Sequence, residues 1–303
     1  MKVGFVVVLA DSRAGGPGSA ERYSTIRDRA LRAEAAGYDS VWVYDHLLYR
    51  PDDLDWTVGI WEGWTILTAL AEATSRVELG TLVLCNSFRN PAVLAKMAHT
   101  LDEVSGGRLI LGIGAGWNKP EYDAFGVPFD RRVARFDEAL QILRPLLRDG
   151  KVDFEGEFYS ARDCVISPRS PRPGGPPLMV GAFGPKTMRL AARYADQWNT
   201  CYGATPEDAA EQLTKFDEAV AEVAPEKTPE KTILTSVVHR DLVPPETTSE
   251  SVIDGEPEAI ADALSAHSAA SIGHVQLHVV PYTDEAIART EVGLKLWRER
   301  SAG

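Results

Sequence analysis

Four short stretches carry side chains or backbone shapes that could do chemistry. Asp45-His46 follows an apolar run that reads as a strand; the pair could simply cap the next element, but an imidazole titrating near neutrality also suits proton transfer. Cys85, Asn86 and Arg89 form the polar end of VELGTLVLCNSFRNP, Val77–Pro91, whose first half reads as a strand buried on both faces. Gly112-x-Gly114-x-Gly116 lacks the GxGxxG spacing of a dinucleotide fingerprint, and Trp117-Asn118-Lys119-Pro120 follows it rather than a helix. Its better use is to let something flat approach the backbone closely. Gly181-Ala182-Phe183-Gly184-Pro185-Lys186-Thr187 places a proline where a helix would begin. Its outward main-chain N–H groups, with Lys186 beside them, make an anion or phosphate site; the plain alternative is a Gly-rich strand-to-helix turn. Trp61, Trp64 and Trp117 fall in loops predicted to lie at one end, where aromatics favour a planar apolar ligand, whereas Trp42 alternates within a strand and reads as core. No strand end offers a His-x-His pair with carboxylates, so no metal site is expected. His274 and His278 share a strand face ahead of its end and read as packing or surface residues.

The elements that position these stretches alternate regularly. Strands are predicted at Val3–Leu9, Ser40–Tyr44, Val77–Cys85, Arg108–Gly112, Leu178–Val180, Gln197–Thr200, Thr232–His239 and His274–Val280. Helices intervene, among them Ala20–Ala36 after a Gly-rich loop at Ala14–Ser19, one entered through Asn90 as N-cap and Pro91, and Arg131–Asp149 with Pro145 bending its last turns. Residues 151–177 form an excursion, a hairpin or a lid-like loop. Eight strand–helix units without an internal linker predict one α/β domain over residues 1–303, a (β/α)8 TIM barrel with insertion loops at the C-terminal face, 10–19, 47–61 and 159–177. A doubly wound sheet is the alternative. In either fold the carboxyl ends of the strands hold the chemistry.

Composition narrows the function classes. Hydrophobic content of 44% with 25% charged residues is that of a globular protein with a sizeable core. A net charge of −12 argues against nucleic acid and against an anionic membrane surface as partners. Cys85, Cys164 and Cys201 are far apart, which fits a reducing cytoplasm and gives no zinc or disulfide framework. Gly4–Ala10 has only Lys2 before it and no clear cleavage site, so it reads as a first strand rather than a signal peptide. No apolar run approaches membrane-spanning length.

The same residues carry a family resemblance. AAGYDSVWVYDHL, EGWTILTALAEATSRVELGTLVLCNSFRNPAVLAKMAHTLDEVSGGRLILGIGAGWNKPEYDAFG and GAFGPKTMRLAARYADQWN resemble the bacterial luciferase-like monooxygenase superfamily, most closely its coenzyme F420-dependent oxidoreductases. The resemblance implies a barrel that holds a deazaflavin or flavin ring at the carboxyl ends of the strands, and a homodimer. It implies a non-prolyl cis peptide at Leu82-Val83 in a bulge that backs the ring. Asp45 would contact the pyrimidine edge, and His46 would sit at the reactive face as the catalytic residue. Thr81, Leu82, Val83 and Asn86 would line the ring's back and edge, with Trp64 also on the cofactor through the EGWT motif. Gly114, Gly116 and Trp117 would flank the ring and ribityl chain, and Tyr122 would reach the tail. Gly181, Ala182, Gly184, Pro185, Lys186 and Thr187 would hold the phosphate.

One departure is informative. The family's F420-dependent sugar-phosphate dehydrogenases carry a glutamate acid where this chain has Trp117, which weighs against sugar-phosphate oxidation and leaves His46 as the obvious proton-transfer group. The resemblance therefore points to hydride transfer between coenzyme F420 and a small organic substrate. The alternatives are an FMN-dependent monooxygenase that activates oxygen and a barrel that binds flavin without turnover.

Overall fold

The apolar strands and amphipathic helices of this sequence close into a ring. The computed structural model describes residues 1–10, 20–50, 57–201, 203–244 and 251–302; the Gly-rich loop at 14–19 and residues 51–56 of the insertion loop at 47–61 lie outside the described residues. From the N-terminus, β1 (Lys2–Val6) leads through α1 (Tyr23–Ala35) to β2 (Ser40–Val43) and α2 (Gly63–Ala73). The third stave comes in two pieces, β3 (Glu78–Thr81) and β4 (Leu84–Cys85), before α3 (Pro91–Val104). Next is β5 (Leu109–Gly114), followed by two helices, α4 (Lys119–Phe125) and α5 (Arg132–Arg148). An antiparallel hairpin of β6 (Lys151–Glu155) and β7 (Ser160–Val165) forms its own sheet. The chain then runs through β8 (Leu178–Gly181), α6 (Pro185–Tyr194), β9 (Gln197–Cys201), α7 (Pro206–Val223) and β10 (Glu230–Val238). It ends with β11 (Ile253–Asp254), α8 (Pro257–Ala269), β12 (His274–Val280) and α9 (Asp284–Ala302).

Parallel pairing runs β1-β2-β3-β5-β8-β9-β10-β12 and back to β1, a closed eight-stave (β/α)8 barrel. β4 pairs with β5, and β11 adds to the outer end of β10. Apolar side chains fill two layers. Val6, Trp42, Leu82, Ile110 and Met179 plug the barrel, while residues such as Leu79, Leu109, Leu140 and Leu277 pack the strands against the surrounding helices.

Two local differences from the sequence expectation shape the site. Val77–Cys85 is not one continuous strand: it breaks at Leu82-Val83, whose peptide bond is cis, as the family resemblance implied. Across the break the Thr81 hydroxyl donates to the Gly112 carbonyl at 2.7 Å and accepts from the Gly112 N–H at 2.9 Å, taking up backbone groups that the interrupted ladder leaves. The second difference is α4, where a loop was expected after GAGWN. Pro120 lies in its first turn and Gly126, at φ 69°, terminates it in the left-handed conformation.

Candidate active site at the barrel mouth

The floor of the mouth is built by subtraction of side chains. An added Cβ on Gly114 would lie 2.9 Å from Val83 Cγ2, and one on Gly181 3.2 Å from the same methyl. The Val83 isopropyl group therefore rests across two glycine strand ends, where any larger residue would lift it. Leu82 joins the plug with Trp42, Ile110 and Met179, and Val83 packs against the same cluster. The result is an apolar bed at the ends of the third, fourth and fifth staves.

His46 lies just past the end of β2, the stave that pairs with β3. Its Nδ1 is 2.7 Å from Oε1 of Glu121, and the backbone N–H of Leu48 donates to the same oxygen at 3.3 Å. Asn118 Nδ2 donates to the Leu48 carbonyl at 3.2 Å, so the start of α4 holds the 46–48 segment from above. The Glu121 side chain is 3% exposed, against 21% for His46. Trp117, largely exposed, meets the imidazole edge-on at 5.9 Å, and Tyr49 lies 5.5 Å from it. Glu121 is the functional candidate that sequence reasoning missed. Its one signal was an Asn-x-x-Glu spacing from Asn118, the pattern of a helix start, in a stretch read as non-helical.

Asp45 serves the frame rather than the open mouth. Its carboxylate is fully buried, accepts from the Cys85 N–H at 2.8 Å and pairs with both terminal nitrogens of Arg89. Arg89 also binds Glu62, whose carboxylate caps α2 through Trp64 N and Thr65 N. Burial pulls the Arg89 pKa down, but the bonds and charges of Asp45 and Glu62 outweigh it and leave the guanidinium more firmly protonated than usual. The polar atoms of Asp45 are thus engaged by Cys85 and Arg89 in this arrangement.

Trp64 is likewise displaced from its expected role. It is 7% exposed and lines a groove of about 220 Å³ on the outside of the barrel with Val93, Met97 and Leu101, between α2 and α3. It packs in the helix layer, in the first turn of α2. Tyr122 is fully buried: its hydroxyl lies 2.9 Å from Cys85 Sγ and donates to the Ala115 carbonyl at 3.1 Å. Gly116 passes directly over this pair with φ 77°, and a side chain there would run into Tyr122 and Cys85. Tyr122 therefore supports the glycine turn from beneath and offers no surface to a ligand tail. Burial pushes the Cys85 thiol up to about 11, so it stands as a neutral packing group.

Asn86, 1% exposed, begins a short 3-10 turn after β4. Next to it sits Tyr159, brought in by the β6–β7 hairpin, with its phenol pKa raised by burial. The hairpin tip is fixed by Glu138 of α5, whose carboxylate accepts from the N–H groups of Glu157, Phe158 and Tyr159 at 2.8, 2.8 and 3.0 Å. Tyr159 is a second missed residue, and no local pattern marked it.

The turn at 181–187 has the geometry the sequence suggested. Pro185 lies in the first turn of α6, Gly184 is its N-cap without a side-chain cap, and Gly184, Pro185 and Lys186 are exposed. The first-turn N–H groups have no partner within the helix, and Thr187 Oγ1 turns back to donate to the Gly184 carbonyl at 2.9 Å. Ala182 is buried beneath, where its carbonyl accepts from Trp198 Nε1. Among the described residues no group of three His, Cys, Asp or Glu side chains is placed to hold a metal, and no helix is long and apolar enough to cross a membrane.

Comparison with known proteins agrees with this architecture. An F420-dependent glucose-6-phosphate dehydrogenase from Intrasporangium calvum is 36% identical over 216 residues, 66% of this chain and 61% of that protein. The chain thus spans about three fifths of the length of this relative. The pyrimidine monooxygenase RutA of Escherichia coli K12 is 38% identical over 153 residues, 47% of this chain and 37% of RutA. An F420-dependent secondary alcohol dehydrogenase, solved in complex with an F420-acetone adduct, shares the fold at a TM-score of 0.80 and 23% identity, covering 98% of this chain and 99% of that one. The family model for luciferase-like monooxygenases matches residues 1–244, and on that match this chain belongs to the luciferase-like monooxygenase family.

Proposed function

We propose that this protein is an oxidoreductase that moves a hydride between coenzyme F420 and a small organic substrate. The observation that carries the reading is the mouth itself: Val83 laid across Gly114 and Gly181, with His46 at the end of the neighbouring stave, fits a flat tricyclic ring and a proton-transfer group. When bound, the deazaflavin supplies hydride chemistry at C5. Val83, Gly114 and Gly181 back the ring, and Thr81 holds the bulge that presents them. Asn86 lies at the ring's edge, and Gly116 with Trp117 flanks it. The exposed first turn of α6, with Lys186 and Thr187, binds the cofactor phosphate. His46 takes the hydroxyl proton of an alcohol substrate on oxidation and returns it on reduction.

The substrate in this reading is not a sugar phosphate, because Trp117 stands where the family's sugar-phosphate dehydrogenases carry their glutamate; Glu121 brings a carboxylate to His46 from another position. Titration of the apoprotein with F420 and with FMN tests the proposal. Tight FMN binding without F420 binding overturns it. That outcome would favour a second reading, an FMN-dependent monooxygenase, which the similarity to RutA supports.

The same reading makes residues 1–303 one working unit, a cytoplasmic homodimer. Its three cysteines are far apart in the sequence, which suits a reducing compartment. The outer face of α2 and α3, where Val93 is 55% and Val104 42% exposed beside the Trp64 groove, is the apolar surface suited to a second copy.

A further inference from the structure

We infer that Glu121 is a positioning residue that fixes the tautomer of His46, leaving Nε2 as the nitrogen that exchanges a proton at the mouth. The inference deepens the proposed oxidoreductase function and rests on it for the purpose, though not for the pairing. An ionised carboxylate can only accept hydrogen bonds, so the 2.7 Å contact from Glu121 Oε1 to His46 Nδ1 makes Nδ1 the protonated nitrogen. The Leu48 N–H converges on the same oxygen at 3.3 Å, as suits a carboxylate oxygen with two lone pairs. With Nδ1–H engaged, the neutral ring has its lone pair on Nε2, which no side chain or carbonyl among the described residues occupies.

Burial adds to the specificity of the arrangement. Glu121, 3% exposed, forms no ion pair with an Arg or Lys among the described residues; its one charge-bearing partner there is His46. A proton arriving at Nε2 makes an imidazolium directly against a buried carboxylate, where the charge is compensated. In the oxidative direction His46 Nε2 would take the O–H proton of an alcohol whose C–H hydride a bound deazaflavin would accept, leaving a carbonyl. In the reductive direction both return to it. Glu121 touches neither substrate nor cofactor in this scheme and acts through His46.

The test uses the whole chain labelled with 15N-histidine, with His46 assigned by comparison with a His46→Gln variant. In the wild-type apoprotein at alkaline pH, Nδ1 should show the protonated signature and Nε2 the lone-pair signature. In Glu121→Gln, whose amide can accept from or donate to the ring, the two forms should mix. Single-turnover reoxidation of reduced F420 by acetone should slow roughly 100-fold in that variant, with the acetone KM nearly unchanged. An Nε2–H tautomer in the wild type overturns the inference, and that measurement stands even if Glu121→Gln fails to fold. An unchanged tautomer and rate in a folded Glu121→Gln overturns it as well. A tautomer that shifts as stated in a protein that reduces nothing with F420 supports the pairing and defeats the proposed function instead.

Discussion

Arg89 grips Asp45 with both terminal nitrogens, each at 2.8 Å, in the space between the end of β2 and the entry to α3. With Glu62 on the same guanidinium, this contact ties β2, the Cys85 backbone and the N-terminus of α2 into one unit. Arg89→Ala would leave a fully buried carboxylate without its counter-charge, which costs about 3–5 kcal/mol. The expected result is a large fall in the urea midpoint. Asp45→Asn should do less damage, because Arg89 keeps Glu62. Equal stability of Arg89→Ala and wild type would mean that the pair is not formed in solution.

The bed at the mouth makes a sharper prediction. In Gly181→Ala the new methyl would lie 3.2 and 3.3 Å from the two Val83 methyls, so Val83 must yield by a few tenths of an ångström. That small shift should cost less than about 1.5 kcal/mol of stability. It raises the surface on which a ring would rest, so F420 affinity should drop about tenfold, near 1.4 kcal/mol. Fluorescence titration of F420 measures it. An unaltered Kd in the folded variant would place the ring elsewhere.

What the sequence made legible follows from the range of the forces involved. Asn90 and Pro91 announced the start of α3, and the structure shows Asn90 Oδ1 accepting from Ala92 N and Val93 N at 3.0 and 3.2 Å. Pro185 did the same for α6, because caps depend on neighbours within one turn. The alternation of strand and helix likewise gave the barrel. Glu121 escaped notice because its partner is 75 residues away in the chain, and Tyr159 because its place is set by Glu138 on another element. Trp64 shows the converse: its neighbours in EGWT point to a ligand, while on α2 it lines a groove with residues of α3. The cis bond at Leu82-Val83 has no signal in propensity or periodicity, and only the family resemblance indicated it.

Val93 tests the proposed dimer face. It is 55% exposed on α3, so Val93→Glu should leave the fold within about 0.5 kcal/mol of wild type. A carboxylate in the middle of an apolar contact between two copies would be desolvated without a partner. Sedimentation velocity should therefore show a wild-type dimer and a monomeric variant. A dimer that survives the change would move the interface off α2 and α3.

The histidines inside the fold predict how stability depends on pH. His274 is completely buried, with Nε2 2.7 Å from Ser40 Oγ and its ring edge-on to Trp42 at 5.3 Å, and burial pushes its pKa down to about 3. In the unfolded chain it titrates near pH 6.5, so below that pH the unfolded state binds the extra proton and stability falls as pH falls. The loss is about 1.4 kcal/mol per pH unit for each such group and continues down to the folded value. His99, His239, His267 and His278 are shifted downward by burial as well, and add to the slope. Carboxylates with lowered values, such as Asp196 and Glu62, act in the same direction but titrate in the unfolded chain only near pH 4. Between pH 6.5 and 5 the histidines therefore dominate. His274→Gln, whose amide can still bond Ser40, should narrow the stability difference between those two pH values by about 1.6 kcal/mol. Comparing each protein with itself in urea unfolding cancels the cost of the substitution. The same difference in variant and wild type would mean that His274 is already protonated in the folded barrel.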